Sequence, residues 1–425
     1  MTMKHKGMLA AVAALLFVSV ACEKVDSPQL VDDGPEGNPY KSLNLTTKSA
    51  EYARQGNAFA FEFIDRINAA EKKDYIISPL SMQFLLGMLL DGAQGQTADE
   101  ICKVLGYGAG ETDAVNEYCK SMLEQLPTLD KRTKMSIANA IFVNNQYPIL
   151  RGYKNSVEKY YQAEVSNLDF TKASALKTIN GWCAKKTEGM IPEVLKEVNP
   201  YMLAYLLNAL YFKSRWQVVF PKDNTGNESF TTGNGSVKQV PMMKNTAHFL
   251  YQETDEFRAV RLPYGNYAFC MTVFLPQEGK TLSDVTKALK TIDFQSFYRS
   301  MVECNADLWL PKFETKYGIE LKDILSAMGM PSAFDPDKAN FISMSDYALC
   351  LSFVIQDAAI KVEEEGTEAA AVSVAGMRAA GAYLHPLDNI IFHADRPFLY
   401  LITETSTQTV LFAGRYGEES TSLAN

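Results

Sequence analysis

The protein has 425 residues, 41 Lys and Arg against 50 Asp and Glu, a formal net charge of -9, and 47% hydrophobic and 21% charged residues. These proportions belong to a folded chain and exclude a disordered, collagen-like or multi-span membrane protein. The acidic balance also argues against a protein that tracks a phosphate backbone, which needs a basic stripe, so no nucleic-acid partner is expected.

Residues 1–21 read as an address. Lys4 and Lys6 precede an apolar run from Met8 to Ala21. That run is shorter than the roughly 20 residues a spanning helix needs and suits a secretory signal. It ends Val18-Ser-Val-Ala-Cys22, which resembles a bacterial lipobox. The resemblance implies a signal peptide over 1–21, diacylation of Cys22, and a protein held to a membrane by its acyl chains. Residues 22–47 are rich in Pro, Gly, Asp, Ser and Asn and are predicted to be a flexible tether. Glu23 after the cysteine favours sorting to the outer membrane or cell surface. Beyond Cys22 the cysteines are scattered, without CxxC spacing. They are expected to be buried free thiols, with a Cys102–Cys119 bridge as the local alternative.

The next segment is helical. Ser78 can cap a helix that Pro79 starts, and the run to Ala93 is nearly apolar, which predicts a buried helix. Thr97-Ala-Asp-Glu100 has the form of a capping box for the following helix. Gly106 to Gly110 has the wrong spacing for a dinucleotide loop and reads as a connector. Residues 171–189 read as a further helix, with Trp182 on its apolar side.

Strand patterns follow. Ser136 to Val143 is one candidate. Tyr201 to Phe212 is long and mostly apolar, which predicts a central strand covered on both faces. Val260–Leu262 and Phe269–Leu275 are an expected pair. Leu349, Leu351, Phe353 and Ile355 alternate, predicting a strand that runs on toward Glu363. Phe398–Ile402 and Val410–Ala413 read as hairpin strands. There is no internal repeat. The pattern is α+β in one large domain over 48–417, with a short tail over 418–425.

Catalytic motifs are missing. No HExxH, GxSxG or GxxxxGK[ST] pattern occurs, so an enzyme is not indicated. No metal site or cofactor is expected. Glu363-Glu-Glu365 cannot converge on an ion, because successive strand residues point to opposite faces.

One stretch is out of place. After Glu365, about twenty-five residues lack a core-forming pattern before the strand near Ile390, and such loops are uncommon in compact domains. Val362-Glu-Glu-Glu-Gly-Thr-Glu-Ala-Ala-Ala371 resembles the hinge of a serpin reactive loop. Five other segments fit that family in order. They are Ile77-Ser-Pro-Leu-Ser81, Asn208 to Lys213 with Trp216, Leu310-Pro-Lys-Phe313, Phe392 to Phe398, and Phe412-Ala-Gly-Arg415.

The resemblance covers roughly residues 50–417 and implies three β-sheets, about nine helices and an exposed reactive loop. It implies a suicide-type inhibitor of serine proteases, acting as a monomer through a covalent complex, with papain-like cysteine proteases as secondary targets. The alternative within the family is a non-inhibitory binding or structural protein. The hinge would comprise Glu364, Gly366, Thr367, Glu368, Ala369, Ala370 and Ala371. On insertion Thr367, Ala369, Ala371, Ser373, Ala375 and Met377 would face the core, while the charged Glu368 and Arg378 would face outward. Family spacing places the reactive bond at Ala380–Gly381, which suits elastase-like enzymes. Arg378 and Tyr383 are the alternative reactive residues. The sheet-opening region would comprise Ser78, Ser81, Asn208, Trp216 and Gln356. Gln356 stands where the family usually has histidine, so no titration near neutral pH is expected there.

Overall fold

The computed structural model describes residues 37–367 and 388–418. The signal segment with Cys22 lies outside the described residues, as do Glu368, Ala369, Ala370, Ala371, Arg378, Ala380, Gly381 and Tyr383. No described helix is long and apolar enough to cross a membrane.

The described residues begin on the body of the domain. From Gly37 the expected tether is docked: Asn38 Nδ2 donates to Asp130 Oδ1 at 2.7 Å, Asn266 Nδ2 donates to the Pro39 carbonyl at 2.9 Å, and Leu43 is buried. α1 (Thr47–Ala70) and the short β1 (Tyr75–Ile77) lead into α2 (Pro79–Gly92). The Ser78 hydroxyl accepts from Ser81 N and Pro79 takes the first turn, as predicted. Almost every residue of α2 is buried, so the apolar run has neighbours on all sides.

α3 (Gly95–Leu105) starts earlier than the predicted capping box, from Gln94, which makes no side-chain cap. Thr97 and Glu100 have been taken by tertiary contacts. Thr97 Oγ1 accepts from Asn340 N, and the Glu100 carboxylate accepts from Ser332 N and Oγ. Gly106 ends the helix in the left-handed region at φ 79°, where glycine has no Cβ to strain.

Then come α4 (Thr112–Gln125), β2 (Lys134–Asn144), α5 (Arg151–Tyr161), β3 (Glu164–Leu168), α6 (Ala173–Lys186) and β4 (Ala204–Arg215). There follow β5 (Gly226–Thr231), β6 (Val237–Glu253), β7 (Phe257–Tyr264) and β8 (Phe269–Pro276), each antiparallel to its neighbours in the sheet. α7 (Leu282–Thr291) carries the capping box that is present, Thr281 with Asp284. α8 (Phe294–Ser300), β9 (Val302–Pro311), β10 (Phe313–Glu320), α9 (Lys322–Met328), β11 (Ile355–Glu363), β12 (Gly366–Thr367), β13 (Asn389–His393), β14 (Phe398–Glu404) and β15 (Val410–Tyr416) complete the order. The strand predicted from Leu349 begins only at Ile355. Residues 349–354 form no strand, and Leu349, Leu351 and Phe353 instead line a cavity.

The strands form two hydrogen-bonded sheets. One has nine strands in the order β1-β15-β14-β8-β7-β6-β9-β13, with β5 on β6. The 17-residue β6 joins the two smaller sheets of the expected three, pairing with β5 and β9 over one part and with β7 at its end. The other sheet has six strands in the order β10-β11-β12-β4-β2-β3.

β4 separates two cores. Leu210 and Phe212 pack into the main core with α2, while Tyr205, Leu207 and Ala209 pack with Trp182 and Cys183 of α6 on the other face. That is why its sequence is apolar on both faces. Arg415 closes the chain onto the end of α1, donating to Asn68 Oδ1 at 2.9 Å and to the carbonyls of Glu71 and Lys73. The described cysteines are all free, Cys102 and Cys119 included, and only Cys350 is not fully buried.

Candidate functional site

The site begins where β11 turns back on itself. Glu363 ends β11, Glu364 and Glu365 make the turn, and Gly366-Thr367 enters the six-stranded sheet as β12. β12 is antiparallel to both neighbours, with Thr367 opposite Val362 of β11 and Ser214 of β4. So Gly366 and Thr367 of the predicted hinge are docked between the two strands, while Glu368 to Ala371 lie outside the described residues.

Gly366 has to be glycine here. Its φ is 155°, and a Cβ on it would lie 2.1 Å from the Ser214 carbonyl oxygen. The β4 backbone occupies the space a side chain would need.

The three glutamates of the turn are individually held. Glu363 binds Lys361 at 3.0 Å and Lys312 at 3.2 Å, Glu364 binds Lys312 at 3.1 Å, and Glu365 binds Lys222 at 2.8 Å. Burial pushes the carboxyls of Glu363 and Glu364 up, but the hydrogen bonds outweigh it and keep both below the usual range. The backbone adds to the knot: Trp216 Nε1 donates to the Glu363 carbonyl, and Trp216 N and Phe220 N donate to the carbonyls of Glu365 and Glu364.

Thr367 is only 2% exposed. Its Oγ1 lies 2.5 Å from the Tyr264 hydroxyl. Burial raises the Tyr264 phenol well above its ordinary range, so it stays protonated and can donate. Trp216 stacks on Tyr264 with ring centroids 4.3 Å apart. Tyr264 is a site residue that the sequence reading missed, because one tyrosine at the end of an apolar strand looks like any other core aromatic. Lys312 and Lys222 were missed for a different reason: they reach the turn from distant segments.

Below β12 a slot runs between β4 and β11 with no other described strand in it. Among the described residues β4 and β11 are bridged only by β12. Toward the far end of the two strands lies a cavity of about 440 Å³ lined by Ser81, Cys183, Asn208, Phe353, Gln356 and Asp357, among others. The predicted sheet-opening residues form two contacts here. Gln356 Nε2 donates to the Ser78 carbonyl at 2.8 Å while Ser78 N donates to Gln356 Oε1 at 3.1 Å. Ser81 Oγ donates to Asn208 Oδ1, and Asn208 Nδ2 donates to Asn139 Oδ1 at 2.6 Å. Trp216 is not among them; it belongs to the hinge at the other end.

A titrating group is present after all, one residue beyond Gln356. Asp357 Oδ2 is buried with no hydrogen-bond partner among the described residues, and burial pushes its carboxyl up to about 6. The ionised form is therefore disfavoured in the fold. Its destabilising effect is absent below the ordinary aspartate range, grows as pH rises toward 6, and is constant above that. Asp357→Asn is expected to be more stable than the parent at pH 7.5 by on the order of 1 kcal/mol, and no more stable at pH 3.5. Urea unfolding at the two pH values checks this; an equal gain at both would remove Asp357 as the cause.

Comparison with known proteins agrees with this architecture. A family model described as "Serpin (serine protease inhibitor)" matches residues 54–418. The chain is 34% identical over 373 residues to Serpin B6 of Macaca fascicularis, covering 86% of this chain and 98% of that protein. It is 32% identical over 374 residues to the leukocyte elastase inhibitor of Xenopus tropicalis, covering 84% and 97%. The crystal structure of the thermophilic serpin tengpin in its native state superposes with a TM-score of 0.79 at 28% identity, covering 93% of this chain and 100% of tengpin. A family match from residue 54 to residue 418, a relative 34% identical over 98% of its length, and a fold with the hinge docked between two strands make this chain a member of the serpin family.

Proposed function

We propose that this serpin is a suicide-type inhibitor of serine proteases. The observation that carries the reading is the position of Thr367: a small residue already paired between β4 and β11, at the head of a slot that holds no other strand among the described residues. A strand continuing from there would meet the slot with Ala369, Ala371, Ser373 and Ala375 on the core-facing side, none of which is charged or bulky.

The chemistry follows from that geometry. A protease serine attacks the Ala380 carbonyl carbon, the Ala380–Gly381 bond breaks, and Gly381 leaves as an amine carrying the proton passed by the protease histidine. Ala380 is then esterified to the serine. The freed strand adds to the sheet and carries the acyl-enzyme away from Gly381 before water can cleave the ester. Ala380 fits a shallow, elastase-like pocket, and the similarity to a leukocyte elastase inhibitor points the same way. Papain-like enzymes are secondary targets, through a thioester at the same carbon. The protein acts as a monomer, anchored through acylated Cys22 on the outer membrane or cell surface.

Incubation with elastase, trypsin and chymotrypsin tests this. A covalent complex with elastase that survives denaturing gels is expected, with a released peptide whose mass begins at Gly381. A peptide beginning at Ala379 would move the bond to Arg378, and one beginning at Leu384 would move it to Tyr383. Clean cleavage with no complex for any of the three would refute inhibition and leave a binding role.

A further inference from the structure

The cavity at the far end of β4 and β11 is built in part by residues that have strand periodicity and form no strand. Leu349, Leu351 and Phe353 alternate in sequence, yet residues 349–354 join no ladder. With Met82 and Leu85 of α2 they line a space of about 440 Å³. Small-ligand sites are roughly 300–1,000 Å³ and mostly apolar.

The cavity reaches the surface. Tyr201, Tyr347 and Ile355 belong to its lining, and they are 84%, 47% and 36% exposed. Large apolar side chains exposed around one space mark a binding surface, whereas scattered ones do not. The walls are aromatic as well as aliphatic. Tyr347 packs edge-on against Tyr147 with ring centroids 5.4 Å apart, and Phe353 packs against Tyr205 at 5.8 Å.

A single charge belongs to this surface. Among the described residues that line the cavity, Asp357 is the one Asp, Glu, Lys, Arg or His. Its Oδ2 is buried with no hydrogen-bond partner among the described residues. The fold makes room for this carboxyl. Asp357 lies opposite Gly318 of β10, and a Cβ on Gly318 would stand 2.3 Å from Asp357 Oδ1. The Cys183 thiol in the same lining stays neutral, because burial, and then the charge of Asp357, push it up to about 12.

An ionised carboxylate against apolar walls is costly while it has no partner. A ligand that carries a cation relieves that cost. An anionic ligand would meet no Lys, Arg or His in the lining, and a purely apolar one would leave Oδ2 unpaired. The place is also separate from the hinge. Asp357 stands five residues before Val362, the partner of Thr367, which is about 17 Å along the strand.

We propose that this cavity is a binding site for a small hydrophobic amine, whose aromatic or branched aliphatic body fills the apolar walls and whose single ammonium group donates to Asp357 Oδ2. Binding is read on the uncut chain without a protease, so it does not depend on the inhibitory reading.

Titration calorimetry of the full chain with naphthylmethylamine tests the site, with naphthylmethanol as the neutral analogue and naphthoate as the anionic one. The amine is expected to bind about tenfold or more tighter than the alcohol, and the anion to bind weakest. Asp357→Asn keeps the shape, removes the charge and is expected to fold at least as stably as the parent. Its affinity for the amine should fall to within about threefold of the parent's affinity for the alcohol, while alcohol binding is unchanged. Cys350, the half-buried thiol of the lining, locates the ligand. Saturating amine should slow maleimide labelling of Cys350, followed by peptide mass, by about threefold or more. Absence of amine binding, an Asp357→Asn protein that holds the amine as tightly as the parent, or Cys350 labelling at the same rate with and without bound amine would each overturn the proposal.

Discussion

On the inhibitory function proposed above, Thr367→Arg is expected to turn the protein from an inhibitor into a substrate. The gel-stable complex should fall below detection while cleavage of the loop continues at the parent's rate. Thr367 is almost fully buried, its hydroxyl meets Tyr264, and Trp216 closes the space behind that ring. An arginine there has no acid to pair with on the core side of the row, where its neighbours are Val362 and Ser214. Burying an unpaired charge costs about 3–5 kcal/mol. Because Thr367 is already docked in the uncut chain, the variant relieves this penalty by lifting the hinge out of the sheet, and insertion must then return the arginine at the same cost, which slows it by about a hundredfold or more. Deacylation by water is untouched, so nearly every acyl-enzyme partitions to cleaved product. Thr367→Ser keeps a small hydroxyl and should keep the complex. A Thr367→Arg protein that formed complex in the parent's yield would mean that the docked hinge has no part in trapping.

The sequence made the frame of this site readable because its signals are local. Ser78 before Pro79 marks a helix start without reference to the rest of the chain. The apolar run through β4 marks a strand with a core on each face. The glycine and small residues of the hinge stand out against a loop with no other pattern. What could not be read depends on distant partners. The Thr97–Glu100 motif is valid locally, but Asn340 and Ser332 compete for the same oxygens and win. The alternation from Leu349 to Phe353 has strand periodicity, yet those side chains cover a cavity instead of lying in a ladder. Tyr264, Lys312 and Asp357 have no sequence signal of their own. Each acquires its role from burial or from a neighbour far along the chain.

Cleaving the loop is expected to raise the melting temperature of the whole domain by more than about 10 °C. In the uncut chain β4 and β11 are joined, among the described residues, only at Thr367 and Gly366. A strand continuing into the slot would bond to both edges. Each net backbone bond contributes about 1 kcal/mol, and ordering each residue costs about 1–2 kcal/mol, so these terms nearly balance. The surplus has to come from apolar burial. The cavity at the far end is lined by Met82, Leu85, Phe341 and Met344 as well as by polar groups, and the core-facing Ala371, Ser373 and Ala375 would close over it. Uncut, the loop is tethered at both ends, by Thr367 in β12 and by Asn389 in β13, and β13 is fixed to β9. On the proposed mechanism, cleavage would free one end and let the strand travel the length of the slot. Calorimetry of the chain before and after cutting at Ala380 measures the effect. A cleaved chain that melts at or below the uncut one would show that the slot holds no unused stability. Thr367→Arg, measured in the same way, should lose most of the rise, because the strand that closes the slot cannot start.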